Sequence, residues 1–470
     1  MRRALLAALA ASVPAGIMAG LPPRYGGEIA VALATAPGEP DPARASLPAQ
    51  LEAARALHAT LVEVGPDGQL RPGLLAALPE AEPGGRAFRL RLRAGLHFHD
   101  GRPVTAGDVA ASLARLATSR SHGWIALPLS GSEEVREGRA AAIAGVQVVG
   151  DLELRLALDA PFPELPRALA ALPAAVLPRG GPPTTGAGPF RLSSRAPDGG
   201  LRLVPFDGFW RGRPYPDGLS LLATDARRAA RAFGRGEVDL ALRPEAVAGA
   251  ASRDVPASTA TYALVNGRRL GRLADDLRRA LGSLDRSELA RLAGGRAVPL
   301  SALLPPSTWQ APAAGPVHAP PRIGGNPRIS LLAAEGNRAL ADRLQVKLFD
   351  RGVRAAVETV RAEALAGRLA EGAYDVALVS LTFTSSGPHP AILEAAWGLG
   401  GPAAARRALQ RLGAADAATA AGEVAEELGV VPLLATGLRA SWRPGLEGLE
   451  VLPDGTVDAG DLWSVSRPAR

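Results

Sequence analysis

Apolar and polar positions alternate most clearly at Phe88, Leu90 and Leu92, which interleave with Arg89, Arg91 and Arg93. That period of two predicts a half-buried strand, apolar inward and arginine outward. Val146 to Val149, the pair Gly150-Asp151, and then Leu152, Leu154, Leu156 and Leu158 predict a hairpin with Gly at the first turn position. Phe190 to Ser194, a turn at Asp198-Gly199 and Leu201 to Val204 predict a second hairpin. Between the first strand and the first hairpin the period changes. Thr105 and Asp108 form a capping-box pattern, and Val109, Leu113 and Leu116 follow at helical spacing on one face.

The second half carries a different rhythm. Ile329 to Ala333 is a short, mostly apolar run, and residues 337–350 place Leu340, Leu344 and Leu348 on one helical face, with Gly352 as a stop. Val353, Ala355 and Val357 alternate as a strand, residues 361–370 predict a helix, and Tyr374 to Leu381 is nearly continuous apolar, as a strand covered on both faces would be. Strand–helix–strand–helix–strand is the mark of a parallel α/β unit. The mostly small and polar stretch Gly249 to Thr261 is where a boundary between two lobes is expected. No internal repeat of fixed period is present.

Composition narrows the function classes. The 470 residues suffice for two or three domains, and the 47% hydrophobic and 21% charged content excludes wholesale disorder. The net charge of +7 comes almost entirely from arginine, since Lys347 is the only lysine, and the arginines are dispersed without the clustering that nucleic acid requires. The absence of cysteine removes disulfides, thiol nucleophiles, iron–sulfur and cysteine–zinc sites, and a lipoprotein anchor. At the start, Arg2 and Arg3 precede the apolar stretch Ala4 to Ala19, then Gly20, Pro22 and Pro23, the plan of a cleaved export signal over residues 1–23 and hence of a periplasmic protein.

Catalytic chemistry finds little support. His97 and His99 could share a strand face as metal ligands, but only Asp100 stands near them, in a turn with Gly101, and neither metal nor cofactor is expected. Glu133-Glu134 and Asp275-Asp276 are adjacent in sequence and point apart, as solvated pairs do. Nucleophile-elbow, zincin and phosphate-loop motifs are missing, so the expectation is a binding protein and not an enzyme.

The run Leu92-Arg93-Ala94-Gly95-Leu96-His97-Phe98-His99-Asp100-Gly101-Arg102-Pro103-Val104-Thr105-Ala106-Gly107-Asp108-Val109 closely resembles the signature of the extracellular solute-binding proteins, family 5, of the oligopeptide, dipeptide and nickel importers. Phe98, Asp100, Gly101, Thr105 and Asp108 read as its scaffold: strand end, tight turn and capped helix. Thr185-Gly186-Ala187-Gly188-Pro189-Phe190, Phe209-Trp210-Arg211-Gly212, Gly236-Glu237-Val238-Asp239, Leu277 to Leu281 with Asp285-Arg286, and Tyr374-Asp375-Val376 resemble later family segments in the right order.

The resemblance implies an α/β, two-lobed periplasmic-binding-protein-like fold of type II, with an extra domain in the first lobe. Residues 24–48, 178–255 and 440–470 would form domain I, 49–177 the extra domain and 256–439 the second lobe. It also implies a monomeric substrate-binding component of an ABC importer, which takes a peptide-like solute between the lobes to permease subunits and their ATPase. The alternatives are an exported sensor of the same fold or an exported hydrolase. Candidate ligand contacts are the loops at strand ends: Thr35, Glu39 and Asp41 after the first strand; Thr382, Thr384, Ser385, Ser386 and His389 after a second-lobe strand; and Asn266, Trp309 and Trp397. Peptide-binding members place a carboxylate in the later loop for the peptide's amino terminus. Residues 381–390 contain no Asp or Glu, so free-amine peptides are expected to bind poorly.

Overall fold

A computed structural model describes residues 22–293, 295–309 and 322–464. The expected export signal lies outside these residues, save Pro22 and Pro23. Among the described residues, no helix is long and apolar enough to cross a membrane.

Two large sheets organise the chain. A seven-stranded sheet is centred on Glu28–Leu33, which pairs in parallel with Gly218–Ala223 and Leu240–Arg243. Alternation sorts the central strand's side chains. Ile29, Val31 and Leu33 join the core beneath the helix Pro48–Leu57, while Ala32 faces Ala229 of the helix Ala226–Gly234. The hairpin Phe190–Arg195 and Leu201–Pro205 completes one edge, turning at Gly199 with φ +85°.

The six-stranded sheet contains the expected parallel unit. Arg328–Ala334 lies between Arg354–Val360 and Val376–Thr382, all parallel, with the helices Arg338–Asp350 and Ala362–Ala370 as crossovers. Thr259–Val265 then pairs antiparallel with Val376–Thr382 and with Val430–Gly437. Both faces are covered. Ala263, Val265, Leu331 and Leu378 meet the helices Leu273–Gly282 and Arg338–Asp350 on one side. On the other, Ala260, Tyr262, Leu332 and Ala377 meet Ile392 and Ala405 of the helix Pro388–Leu412, which breaks at Gly401.

A smaller unit holds the four-stranded sheet containing Ala87–Arg91 and the hairpin Val146–Gly150/Glu153–Ala157. The hairpin differs from expectation in its turn. Gly150 stays in the strand behind a register irregularity, and Asp151-Leu152 reverse the chain. The helix Ala106–Ala117 starts as its residues dictate: the Thr105 hydroxyl accepts the Asp108 N–H, and the Asp108 carboxylate accepts the Thr105 N–H at 2.9 Å. Gly101, at φ +84°, donates its N–H to the Phe98 carbonyl and closes the signature turn.

The glycines of the Thr185–Phe190 segment allow a close approach. A Cβ on Gly186 would lie 2.1 Å from the Leu57 carbonyl oxygen, and one on Gly188 would lie 2.5 Å from the His58 nitrogen. Alanine at Gly188 therefore forces backbone apart. Gly188→Ala is expected to cost about 1–3 kcal/mol in urea denaturation, the range of overpacking, whereas Gly150→Ala, which meets nothing within 4 Å, stays near neutral. Equal midpoints for the two variants would contradict this packing.

Candidate functional site: the cavity at the lobe crossing

The chain passes from the seven-stranded to the six-stranded sheet between Asp254 and Thr259, and returns between Gly437 and Arg439. The two crossings lie side by side. The Val255 N–H donates to the Leu438 carbonyl at 2.9 Å, and a Cβ on Gly437 would stand 2.8 Å from the Val255 carbonyl oxygen.

Around these crossings lies a cavity of about 200 Å³. The crossings supply Val255, Ser258, Thr259, Thr436 and Leu438, the seven-stranded side supplies Leu51 and Asp454 to Thr456, and the six-stranded side supplies Arg296. Both lobes therefore wall the same space. Most polar side chains around it are already engaged. Thr456 donates its hydroxyl to Asp454 at 2.7 Å, Asp454 pairs with Arg55, and the Thr259 hydroxyl meets that of Thr382 at 2.9 Å. Arg296 pairs with Asp254. Among the described residues, the Ser258 hydroxyl has no hydrogen-bond partner.

The expected ligand contacts fall into three groups. Thr35 and Glu39 are exposed, while Asp41 is buried, accepts the Ala43 N–H and pairs with Arg115. Its loop is tied down further by His58 on the Pro40 carbonyl at 2.9 Å and by His122 on the Ala45 carbonyl at 2.8 Å. The later loop is buried. Thr382 bonds Thr259, Ser386 accepts from Arg167 at 3.4 Å, and His389 is half-buried. Asn266 caps a short helix and donates to the Gly372 and Tyr374 carbonyls; Trp309 packs half-buried against the core. Trp397 is 5% exposed, donates its indole N–H to the Arg120 carbonyl at 2.7 Å, and lies so close to Gly123 that a Cβ there would come within 2.3 Å of the ring. It thus joins the six-stranded lobe to the smaller unit. None of these eleven residues is among those lining the cavity at the crossing; Thr382 comes nearest, through Thr259.

Sequence reasoning passed over one charged group. The loop without its own acid rests on Glu394, ten residues beyond Thr384 and 1% exposed. Its carboxylate accepts the N–H groups of Thr384 and Ser385 at 3.0–3.1 Å and both hydroxyls at 2.7 Å. Burial raises its carboxyl above the ordinary range, against the pull of those donors. Four donors occupy the two oxygens, so this charge is spent on the loop. The signal in sequence was helical: Glu394 lies in the first turns of an otherwise apolar helix, Ala391 to Trp397.

His99, one of the paired histidines, holds the glycine segment: it accepts the Gly186 N–H at 3.2 Å and donates to the Gly188 carbonyl at 3.1 Å. Among the described residues, no three His, Asp or Glu side chains cluster to hold a metal.

Comparison with known proteins accounts for this architecture. Residues 69–401 match the model of the bacterial extracellular solute-binding proteins, family 5. The chain belongs to this family. The Bacillus subtilis protein YhjP is 30% identical over 235 residues, 49% of this chain and 37% of its own. A Sinorhizobium fredii protein described as a probable peptide ABC transporter periplasmic-binding protein is 30% identical over 182 residues, 34% of this chain and 32% of its own. The chain thus spans about a third of the length of these curated relatives. The Escherichia coli murein tripeptide binding protein MppA superposes with a TM-score of 0.75 at 18% identity, covering 94% of this chain and 99% of that one. That likeness shows a shared two-lobed fold.

Beneath the cavity, Glu52 is 7% exposed and accepts the Val457 N–H at 3.1 Å. Burial pushes its carboxyl up to about 8, with Val457 and Arg55 opposing and Asp454 assisting. The folded chain therefore keeps this proton between the ordinary 4.5 and about 8 while the unfolded chain releases it, so stability falls as pH rises through that window. Glu52→Gln keeps the acceptor and cannot ionise. Its melting temperature is expected to decline less than the wild type's between pH 5 and 8, with the two curves converging at pH 4.5 and below. Parallel curves across that range would refute the assignment. His58, His99 and His122, each lowered to about 4 by burial, act with the opposite sign as pH falls from 6.5 to 4, and they do so in both proteins alike.

Proposed function

We propose that this protein is the substrate-binding component of an ABC importer, which encloses a peptide-like or similarly sized solute between its lobes and presents it to a membrane permease. The observation that carries this reading is the cavity walled by both lobes at their paired crossings, where closure and ligand burial are the same event. Membership in the solute-binding family and the peptide-transport description of the Sinorhizobium relative support it. So does the lack of a nucleophile–base pair among the described residues that line the cavity. We propose the same three-part division as the family, with residues 24–48, 178–255 and 440–470 as domain I, 49–177 as the extra domain and 256–439 as the second lobe. Export to the periplasm and action as a monomer belong to this reading.

The chemistry of the cavity limits the cargo. Asp454 is the carboxylate lining it, and Asp454 is neutralised by Arg55. Glu394 is spent on its loop. A buried ammonium group needs an unspent acid, so capped or neutral peptides and other uncharged polar solutes fit better than free-amine peptides. At about 200 Å³ the cavity lies below the roughly 300–1,000 Å³ of drug-sized ligand sites, so longer solutes require the lobes to part.

A thermal-shift screen of the mature chain tests this. Amine-blocked dipeptides are expected to raise the melting temperature in a saturable way, and free-amine di- and tripeptides to leave it within error. Submicromolar binding of a free-amine peptide would overturn the charge argument, and no response to any peptide or small solute would overturn the function.

Trp397 governs the seam. Trp397→Ala removes the indole from the Arg120 carbonyl and opens a void beside Gly123. Truncating a buried tryptophan costs about 3–5 kcal/mol, here at a contact between units. The variant is expected to keep its circular dichroism while its radius of gyration in X-ray scattering increases. A compact, wild-type scattering curve would show that the seam does not depend on it.

A further inference from the structure

A second concave site lies away from the lobe crossing and shares no lining residue with it. It is a groove of about 430 Å³ formed where the loop around Ala43 meets the C-terminal end of the helix Ala106–Ala117 and the turn that follows. Three arginines line it, Arg44, Arg115 and Arg120, together with Thr118, Ser119 and Ser121. Among the described residues, its lining contains no carboxylate. The nearest acid, Asp41, is 3% exposed and is consumed by one Arg115 nitrogen and the Ala43 N–H.

What distinguishes these three arginines is their convergence on one concave surface. Some arginines elsewhere are matched by acids, as Arg136 is by Glu133 and Glu137 and Arg211 by Glu63, Asp458 and Asp461, while others, such as Arg179 and Arg227, stand singly on the surface. In the groove, Arg44 and Arg120 are exposed and, among the described residues, have no ion pair. Arg115 keeps a second guanidinium nitrogen, Nη1, buried without a hydrogen-bond partner. A buried unsatisfied N–H of a cation is costly unless an acceptor arrives.

The walls are fixed before any ligand comes. Ser119 donates to the Ala43 carbonyl at 2.8 Å and accepts the His122 N–H at 3.1 Å, and the Arg120 carbonyl holds Trp397. Guanidinium forks recognise planar or tetrahedral oxyanions through paired N–H···O bonds.

From the like charge, the unsatisfied donor and the pinned backbone together, we infer that this groove binds a small multivalent oxyanion, a phosphate- or polycarboxylate-bearing solute, held by Arg44, Arg115 and Arg120. The site is built from residues outside the lobe-crossing cavity, so it stands or falls separately from the proposed import function.

The test uses the full mature chain titrated with inorganic phosphate and, separately, with citrate, each against sodium chloride of equal ionic strength, with binding read by calorimetry and melting temperature. A saturable response to at least one of the two oxyanions is expected. The double variant Arg44→Ala/Arg120→Ala, which breaks no ion pair seen in the fold, is expected to melt as the wild type does in chloride and to lose at least tenfold in affinity. Arg44→Lys/Arg120→Lys keeps the charge without the forks and is expected to lose several-fold. Absence of a saturable response to both oxyanions, or wild-type affinity in either double variant, would overturn the proposal.

Discussion

Everything about this molecule turns on two short backbone segments that run past one another, Val255 to Ser258 and Gly437-Leu438. They touch through one amide hydrogen bond and one bare glycine. The constraint is steric before it is energetic. A side chain at Gly437 would press on the Val255 carbonyl and on Ala257, so the segments could not lie at this distance. Because they do, two sheets that share no strand are joined by neighbouring tethers. The same residues wall the cavity. Under the proposed function, a solute there would touch the joint itself, the most direct way for a ligand to bias closure.

The fold was legible where burial is one-sided or where a motif has a steric cause. The alternation at Phe88 to Leu92, the capping pair Thr105/Asp108 and the parallel unit between Ile329 and Leu381 each express a local rule that the tertiary structure keeps. The turn after Val149 was misplaced because Gly150 satisfies a turn signal as well as an irregular strand, and pairing with Glu153 decides between them. The family signature was readable for the same reason. Gly101 sits at φ +84° and His99 spends both ring nitrogens on the glycine segment near residue 187, so these residues are fixed by backbone geometry.

The site was far less legible, and the reason is physical. Strand-end loops often face a ligand, but a hydroxyl in such a loop is equally able to serve a buried carboxylate. Thr384 and Ser385 do so for Glu394, and only the packing of a helix ten residues away reveals it. Asp41 and Trp397 show the same ambiguity. An acid and an indole in the expected cleft satisfy Arg115 and the Arg120 carbonyl across unit boundaries. Conversely, Ser258, Thr436 and Thr456 carry no sequence signal at all. They line the cavity because two crossings and the Asp454–Thr456 turn converge, a relation between residues some 180 to 200 positions apart.

Glu394 also bears on what a loop without an acid of its own can hold. A peptide amine requires a carboxylate that is charged, buried and not yet satisfied. Here the nearest buried carboxylate, Glu394, is saturated by four protein donors, so exchanging a loop bond for a ligand bond gains little. An acid in the helix beneath the loop serves here as a scaffold anchor. Under the proposed function, selectivity would rest on shape and on neutral hydrogen bonding at the crossing, where, among the described residues, the Ser258 hydroxyl has no partner.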